Sequence, residues 1–100
     1  MQREVKFILP LNNNDGKSLS DLHTQLNSEL INNYYGFTSQ SGMGGYKSQN
    51  MEIIECVAIY TIAIEKIQEG GVLEMLNFYK IEAEQEAIYY VNFEGFVQFI

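Results

Sequence analysis

The stretch Gly36-Phe37-Thr38-Ser39-Gln40-Ser41-Gly42-Met43-Gly44-Gly45-Tyr46-Lys47-Ser48 gathers most of the groups in this chain that could meet a ligand. It holds four of the eight glycines. Gly44 and Gly45 have no Cβ, so their backbone amides can approach a phosphate or carboxylate closely. Thr38, Ser39 and Ser41 supply hydroxyl donors, Lys47 supplies a positive charge, and Tyr46 can stack on a base. These seven residues form a candidate site for a small, nucleotide-like anion. The same glycines also suit a β-bulge or a hairpin tip with Tyr46 in the core, and the spacing leaves both readings open. It does not match a phosphate-binding P-loop, which needs G-x-x-x-x-G-K-[ST].

Catalytic chemistry finds less support. A serine nucleophile needs a base beside its hydroxyl, and the one histidine, His23, falls beside the apolar stripe of a helix, where an exposed flank is expected. One cysteine, Cys56, allows no intramolecular disulfide and no cysteine-based metal site; it sits in an apolar run that predicts burial. No catalytic residue, metal or cofactor is implied. Gly70-Gly71 precedes a helix and could offer amides to an anion, or could simply turn the chain.

The elements that must position these groups fit one domain spanning residues 1–100. Apolar residues make up 46% and aromatics 13%, a globular composition. The net charge of −7 leaves no basic patch, which argues against binding nucleic-acid backbones or anionic lipid. No apolar run approaches membrane-spanning length, no signal peptide is expected, and the cytoplasm is the expected compartment. An abundance of Asn, Ile and Tyr, with Lys over Arg, suits an AT-rich genome such as that of a phage or a low-GC bacterium.

Alternation predicts a first strand over Glu4 to Leu11, with Val5, Phe7 and Leu9 on one face and Pro10 marking its end. Asn12 to Gly16 is a turn. Ser18 and Asp21 resemble a capping box opening a helix that runs to about Asn33. Leu19, Leu22, Leu26 and Leu30 form its stripe, widened by Ile31 and Tyr34, and Gly36 suits its C-terminal stop. A strand over Phe37 to Ser41, a Gly42-Met43-Gly44-Gly45 loop, a return at Tyr46 to Ser48 and a turn at Gln49-Asn50 follow. Ile53 to Glu65 reads as a strand apolar on both faces. Val72 to Glu86 reads as a helix with a Val72, Met75, Leu76, Tyr79 and Ala83 stripe. Ala87 to Phe93 is a strand, Glu94-Gly95 suits a two-residue hairpin turn or a bulge, and Phe96 to Ile100 ends the chain as a second strand or a continuation.

This order predicts an α+β fold of ferredoxin-like β-α-β-β-α-β type: a four-stranded antiparallel sheet with both helices on one face and the first and third strands central. The doubly apolar central strand implies that the open face is covered by another copy, giving a homodimer or larger oligomer. Gly36-Phe37-Thr38-Ser39 and Gly42-Met43-Gly44-Gly45-Tyr46 resemble the G-[FL]-T-V and G-x-G-x-[WY] progression of a family of small bacterial and phage proteins known only as a domain of unknown function. That resemblance implies a ferredoxin-like topology and carries no activity.

Three functions follow. One is a non-enzymatic, homo-oligomeric module that sequesters a small anionic ligand, as a phage accessory protein countering host defence signalling would. Another is an inhibitor that engages a host protein through the acidic surface of Glu82, Glu84 and Glu86. The third is a small dimeric α/β-barrel enzyme with a pocket between helices and sheet, based on His23 or a buried carboxylate.

Overall fold

A computed structural model describes residues 1–100. Strand β1 (Gln2–Pro10) leads to helix α1 (Ser20–Tyr34), then β2 (Thr38–Ser48) and β3 (Met51–Glu65). A short 3-10 turn precedes helix α2 (Glu69–Glu82), and β4 (Tyr89–Val91) and β5 (Val97–Phe99) complete the chain. The strands form one sheet in the order β2-β3-β1-β4-β5, with every neighbouring pair antiparallel. The α+β class and the central positions of β1 and β3 match expectation. The strand count does not: there are five strands, because the C-terminal segment folds back on β4. Gly95, at φ 92°, makes the turn, and its N–H donates to the Asn92 carbonyl at 2.9 Å.

Alternation in β1 and β3 sends Val5, Phe7, Leu9, Tyr60, Ile62 and Ile64 toward the helices, and all are buried. Phe7 faces Tyr60 across the ladder, and their rings stack at 5.1 Å. Leu26 and Leu30 of α1 and Val72, Met75, Leu76 and Tyr79 of α2 complete this core. At about 25 cal/mol per Å² of apolar area removed from water, burial of this kind is the main stabilising term. Ile31, expected to widen the α1 stripe, is exposed.

Several local expectations are corrected. Leu19 occupies the N-cap of α1 without a side-chain cap, and the Ser18 hydroxyl instead accepts from the Ser20 N–H at 3.2 Å. Tyr35 rather than Gly36 takes the left-handed cap of α1, at φ 65°. Helix α2 begins at Glu69, so Gly70 and Gly71 lie inside its first turn. The Gly42 to Gly45 segment is no loop. It is continuous β2, and the chain reverses at Gln49-Asn50, both at positive φ, between the paired Ser48 and Met51.

The β2–β3 hairpin outruns the rest of the sheet. β1 pairs with β3 only from Val57 onward, so Met51 to Cys56 have β2 as their one strand neighbour. This two-stranded arm makes the molecule long, 42 × 28 × 22 Å. It leaves Met43, Ile54, Met51 and Tyr46 exposed. Cys56, expected to be buried, is exposed for the same reason.

Candidate functional site

The structure places the seven candidate residues along one edge strand. Thr38, Gly44 and Tyr46 share the sheet face turned away from the helices, because they pair with Thr61, Glu55 and Ile53. Ser39, Ser41, Gly45 and Lys47 alternate onto the other face. Thr38 and Tyr46 are eight positions apart, roughly 26 Å at 3.3 Å per residue, so one small ligand cannot touch both within a chain. Lys47 lies opposite Glu52 at the tip of the arm. The strand glycines have a packing role: a Cβ at Gly42 would stand 3.1 Å from Ile59 Cδ1, and one at Gly44 would stand 3.4 Å from Val57 Cγ1. None of Gly42, Gly44 and Gly45 has a positive φ, so they form no anion-cradling turn.

A concave site does exist at the other end of β2. β2 starts at Thr38, opposite Thr61, whereas β3 continues to Glu65 with β1 alone beside it. This register offset cuts a notch into the corner of the sheet. The link from α1 to β2, Tyr35 to Phe37, crosses it, and the result is a groove of about 470 Å³. Its walls include Glu4 of β1, Tyr34 and Tyr35 at the end of α1, Phe37, and the hydroxyls of Thr38 and Thr61. No lysine or arginine lines it. Beyond Thr61 the outer edge of β3 has no strand partner, so its backbone N–H and C=O groups can meet a ligand.

Local backbone and packing build this groove. Tyr35 holds a left-handed conformation, and the residue is 93% exposed. A non-glycine residue there carries strain of order 1–3 kcal/mol, held by its place as the C-cap of α1, where the cap N–H donates to the Leu30 carbonyl. Phe37 leans on Tyr60 with ring centroids 5.7 Å apart. A Cβ at Gly71 would stand 3.2 Å from the Tyr34 hydroxyl, so Gly71 lets α2 approach this wall. That role, rather than anion binding, accounts for the second glycine of the pair.

Two buried tyrosines of the core are tied to carboxylates. The Tyr90 hydroxyl donates to Glu69 Oε2 at 2.8 Å, and the Phe93 N–H donates to the same oxygen at 2.7 Å. The Tyr79 hydroxyl donates to Glu29 Oε2 at 2.9 Å. Burial, then these bonds to carboxylates, push both phenols far above the ordinary tyrosine range. Burial also raises Tyr34, with Glu29 adding to it. The Tyr79 and Tyr90 phenols stay protonated and act as fixed donors to Glu29 and Glu69.

His23 is not an exposed flank residue. It is half-buried, with Nδ1 2.7 Å from the Tyr60 hydroxyl and Nε2 2.8 Å from the Pro10 carbonyl. The carbonyl can only accept, so Nε2 carries a proton. The Tyr60 hydroxyl also lies 2.9 Å from Asn27 Oδ1, and burial pushes its pKa up to about 12. The imidazole stacks over Tyr60 at 5.8 Å and links α1 to β1 and β3. With both nitrogens engaged inside the fold, it is a structural group here.

The fold is thus an α+β layer of two helices on a five-stranded antiparallel sheet. No protein-family model matches the chain, and no curated protein sequence does. Among solved structures, it is similar to a phage SAM lyase in complex with S-methyl-5'-thioadenosine, with a TM-score of 0.62 at 15% identity. The likeness covers 95% of this chain and 83% of that one. At this identity the likeness establishes the fold. No helix is long and apolar enough to cross a membrane.

Proposed function

We propose that this protein binds a small adenosine-derived ligand, SAM or its thioether relative, in the groove between β1, β3 and the start of β2. The observation that carries this is the groove itself: aromatic side chains, one carboxylate, two threonine hydroxyls and an unpaired strand edge, with no cation. Tyr34, Tyr35 and Phe37 offer surfaces for a purine, and the edge of β3 offers backbone groups to its polar rim. Glu4 suits a sulfonium or ammonium charge. The groove's charge favours a neutral or cationic nucleoside over the anionic ligand that the glycine-rich stretch suggested, because Lys47 stands roughly 30 Å from Thr38 along β2.

The likeness to a phage protein that holds S-methyl-5'-thioadenosine supports this reading. Both helices lie on one side of a β2-β3-β1-β4 core extended by β5, which supports a ferredoxin-like description. On this reading the protein sequesters the ligand without turning it over, as a phage accessory protein acting against host defence signalling would. The neighbour's lyase activity favours a second reading, cleavage of SAM in the same groove. Calorimetry with SAM, S-methyl-5'-thioadenosine and adenosine monophosphate tests binding, and chromatography of the SAM mixture tests cleavage. Binding of the first two ligands but not the monophosphate is expected. Preference for the monophosphate would refute the groove's assignment, and release of S-methyl-5'-thioadenosine from SAM would select the lyase reading.

A further inference from the structure

We propose that Ala63 is the specificity-determining residue of the groove: its backbone N–H and C=O read the N1 and N6 edge of adenine, and so select a 6-amino purine over a 6-oxo one. This selection rests on the groove being the nucleoside site.

Successive residues of a strand aim their backbone groups at opposite neighbours. The Leu11 N–H donates to the Cys56 carbonyl at 3.1 Å, one step beyond the Pro10–Val57 pair. The even-numbered residues of β3, in phase with Cys56, therefore bond β1, and the odd-numbered ones face β2. The far side of the sheet keeps the same phase. Ile88 and Ile100 exchange both bonds, at 2.9 and 3.0 Å, so the even-numbered residues beside β4 bond β5 and the odd-numbered ones bond β1. Val57, Ile59 and Thr61 direct their outward groups to β2, whose ladder ends at Thr38 opposite Thr61. The next outward residue is Ala63, and its N–H and C=O have no hydrogen bond within the chain. The one after it, Glu65, is capped, its N–H donating to Gln68 Oε1 at 2.7 Å. The free edge is thus one residue long, and it opens into the groove, where Ala63 is a wall residue.

One free residue cannot template a further strand, which pairs along several residues. It suits the edge of one flat heterocycle. In extended backbone the N–H and C=O of a residue point the same way, a donor beside an acceptor. Adenine N1 accepts and the N6 amino group donates, so the two edges are complementary. Hypoxanthine and guanine present N1–H and O6, which set donor against donor and acceptor against acceptor. A site built on such a pair rejects the mispaired base strongly, because its polar groups are left unmatched. These bonds need no charged side chain, in keeping with a groove that no lysine or arginine lines.

Amide hydrogen exchange, read by NMR residue by residue, tests the geometry and then the recognition. Without ligand, the Ala63 N–H should exchange rapidly while those of Ile62 and Ile64 are protected. Saturation with S-methyl-5'-thioadenosine should slow the Ala63 N–H at least about tenfold, and S-methyl-5'-thioinosine should bind at least about tenfold more weakly. Ala63→Pro removes the donor at an edge position where proline is tolerated, and a folded variant should lose the preference between the two nucleosides. Protection of Ala63 in the free protein overturns the proposal. So does S-methyl-5'-thioadenosine binding that leaves Ala63 exchange unchanged, or equal affinity for the two nucleosides; in both cases the groove keeps its assignment. Failure of S-methyl-5'-thioadenosine to bind at all refutes the groove's assignment and the selection with it.

Discussion

Glu4 and Thr38 stand on the same face of the sheet with β3 between them, Glu4 opposite Ala63 and Thr38 opposite Thr61. Two strand spacings separate them laterally, roughly 9.6 Å, a gap that a nucleoside spans. The carboxylate and the hydroxyl thus bracket the groove. If the Glu4 charge faces a sulfonium, Glu4→Gln lowers affinity for SAM about tenfold, near 1.4 kcal/mol. Affinity for the uncharged S-methyl-5'-thioadenosine then changes little. Calorimetric titration of both ligands checks the split, and equal losses for the two would remove the charge argument.

Tyr35 gives a prediction in which stability and binding move in opposite directions. Its φ of 65° suits glycine better than tyrosine. Tyr35→Gly should relieve the left-handed strain and raise unfolding stability by about 1 kcal/mol. It should also weaken nucleoside binding, because the exposed ring forms part of the groove wall. Denaturant unfolding and titration of one preparation decide it. Unchanged affinity would take Tyr35 out of the site.

Alkaline pH should destabilise the protein through Tyr60. Its pKa is raised by burial from 10.0 to about 12 in the folded state. Between these values the unfolded chain releases the phenol proton and the folded chain keeps it, so stability falls as pH rises. The contribution is fully present below about pH 10 and lost through about pH 12. Tyr60→Phe should flatten this part of the profile and cost about 1–2 kcal/mol at neutral pH, since His23 and Asn27 lose a shared partner. Chemical denaturation at pH 8 and pH 11 measures both effects.

Glu69 ties the start of α2 to β4 by accepting from the Tyr90 hydroxyl and the Phe93 N–H. Glu69→Ala leaves both donors without this acceptor and should cost roughly 2–4 kcal/mol. Glu69→Gln, which keeps a carbonyl oxygen, should cost less. Thermal unfolding of the two variants ranks them, and equal losses would assign the effect to packing instead.

The frame of this fold was legible because β1, β3 and the buried face of α2 are dominated by burial, which writes its period into the sequence. Val5, Phe7 and Leu9 alternate, and Val72, Met75, Leu76, Tyr79 and Ala83 repeat with helical spacing; all are buried as expected. β2 was harder to read. An edge strand with three glycines and little burial has no such period, so Gly42 to Gly45 resembled a loop. Cys56 misled for a related reason: its neighbours are apolar, but the arm carries it beyond the helices. The groove could not be read locally, since it arises from β3 outrunning β2 at Thr38, a relation between two strands. Nor could His23, whose partners Pro10 and Tyr60 lie 13 and 37 positions away. Thr38, one of the seven residues singled out, does line the groove, and Ser39, Ser41, Gly44, Gly45, Tyr46 and Lys47 do not.

The most direct test of the central claim is titration of S-methyl-5'-thioadenosine into the wild-type chain and into Thr38→Arg. Thr38 is exposed, so the arginine can fill the groove without entering the core. Saturable binding to the wild-type chain and its loss in a Thr38→Arg chain of unchanged stability is the predicted result. A hundredfold excess over the dissociation constant should add about 2.7 kcal/mol to wild-type stability, a rise in melting temperature of about 10 °C or more. Wild-type binding that survives Thr38→Arg, or no binding at all, would contradict the assignment of this groove.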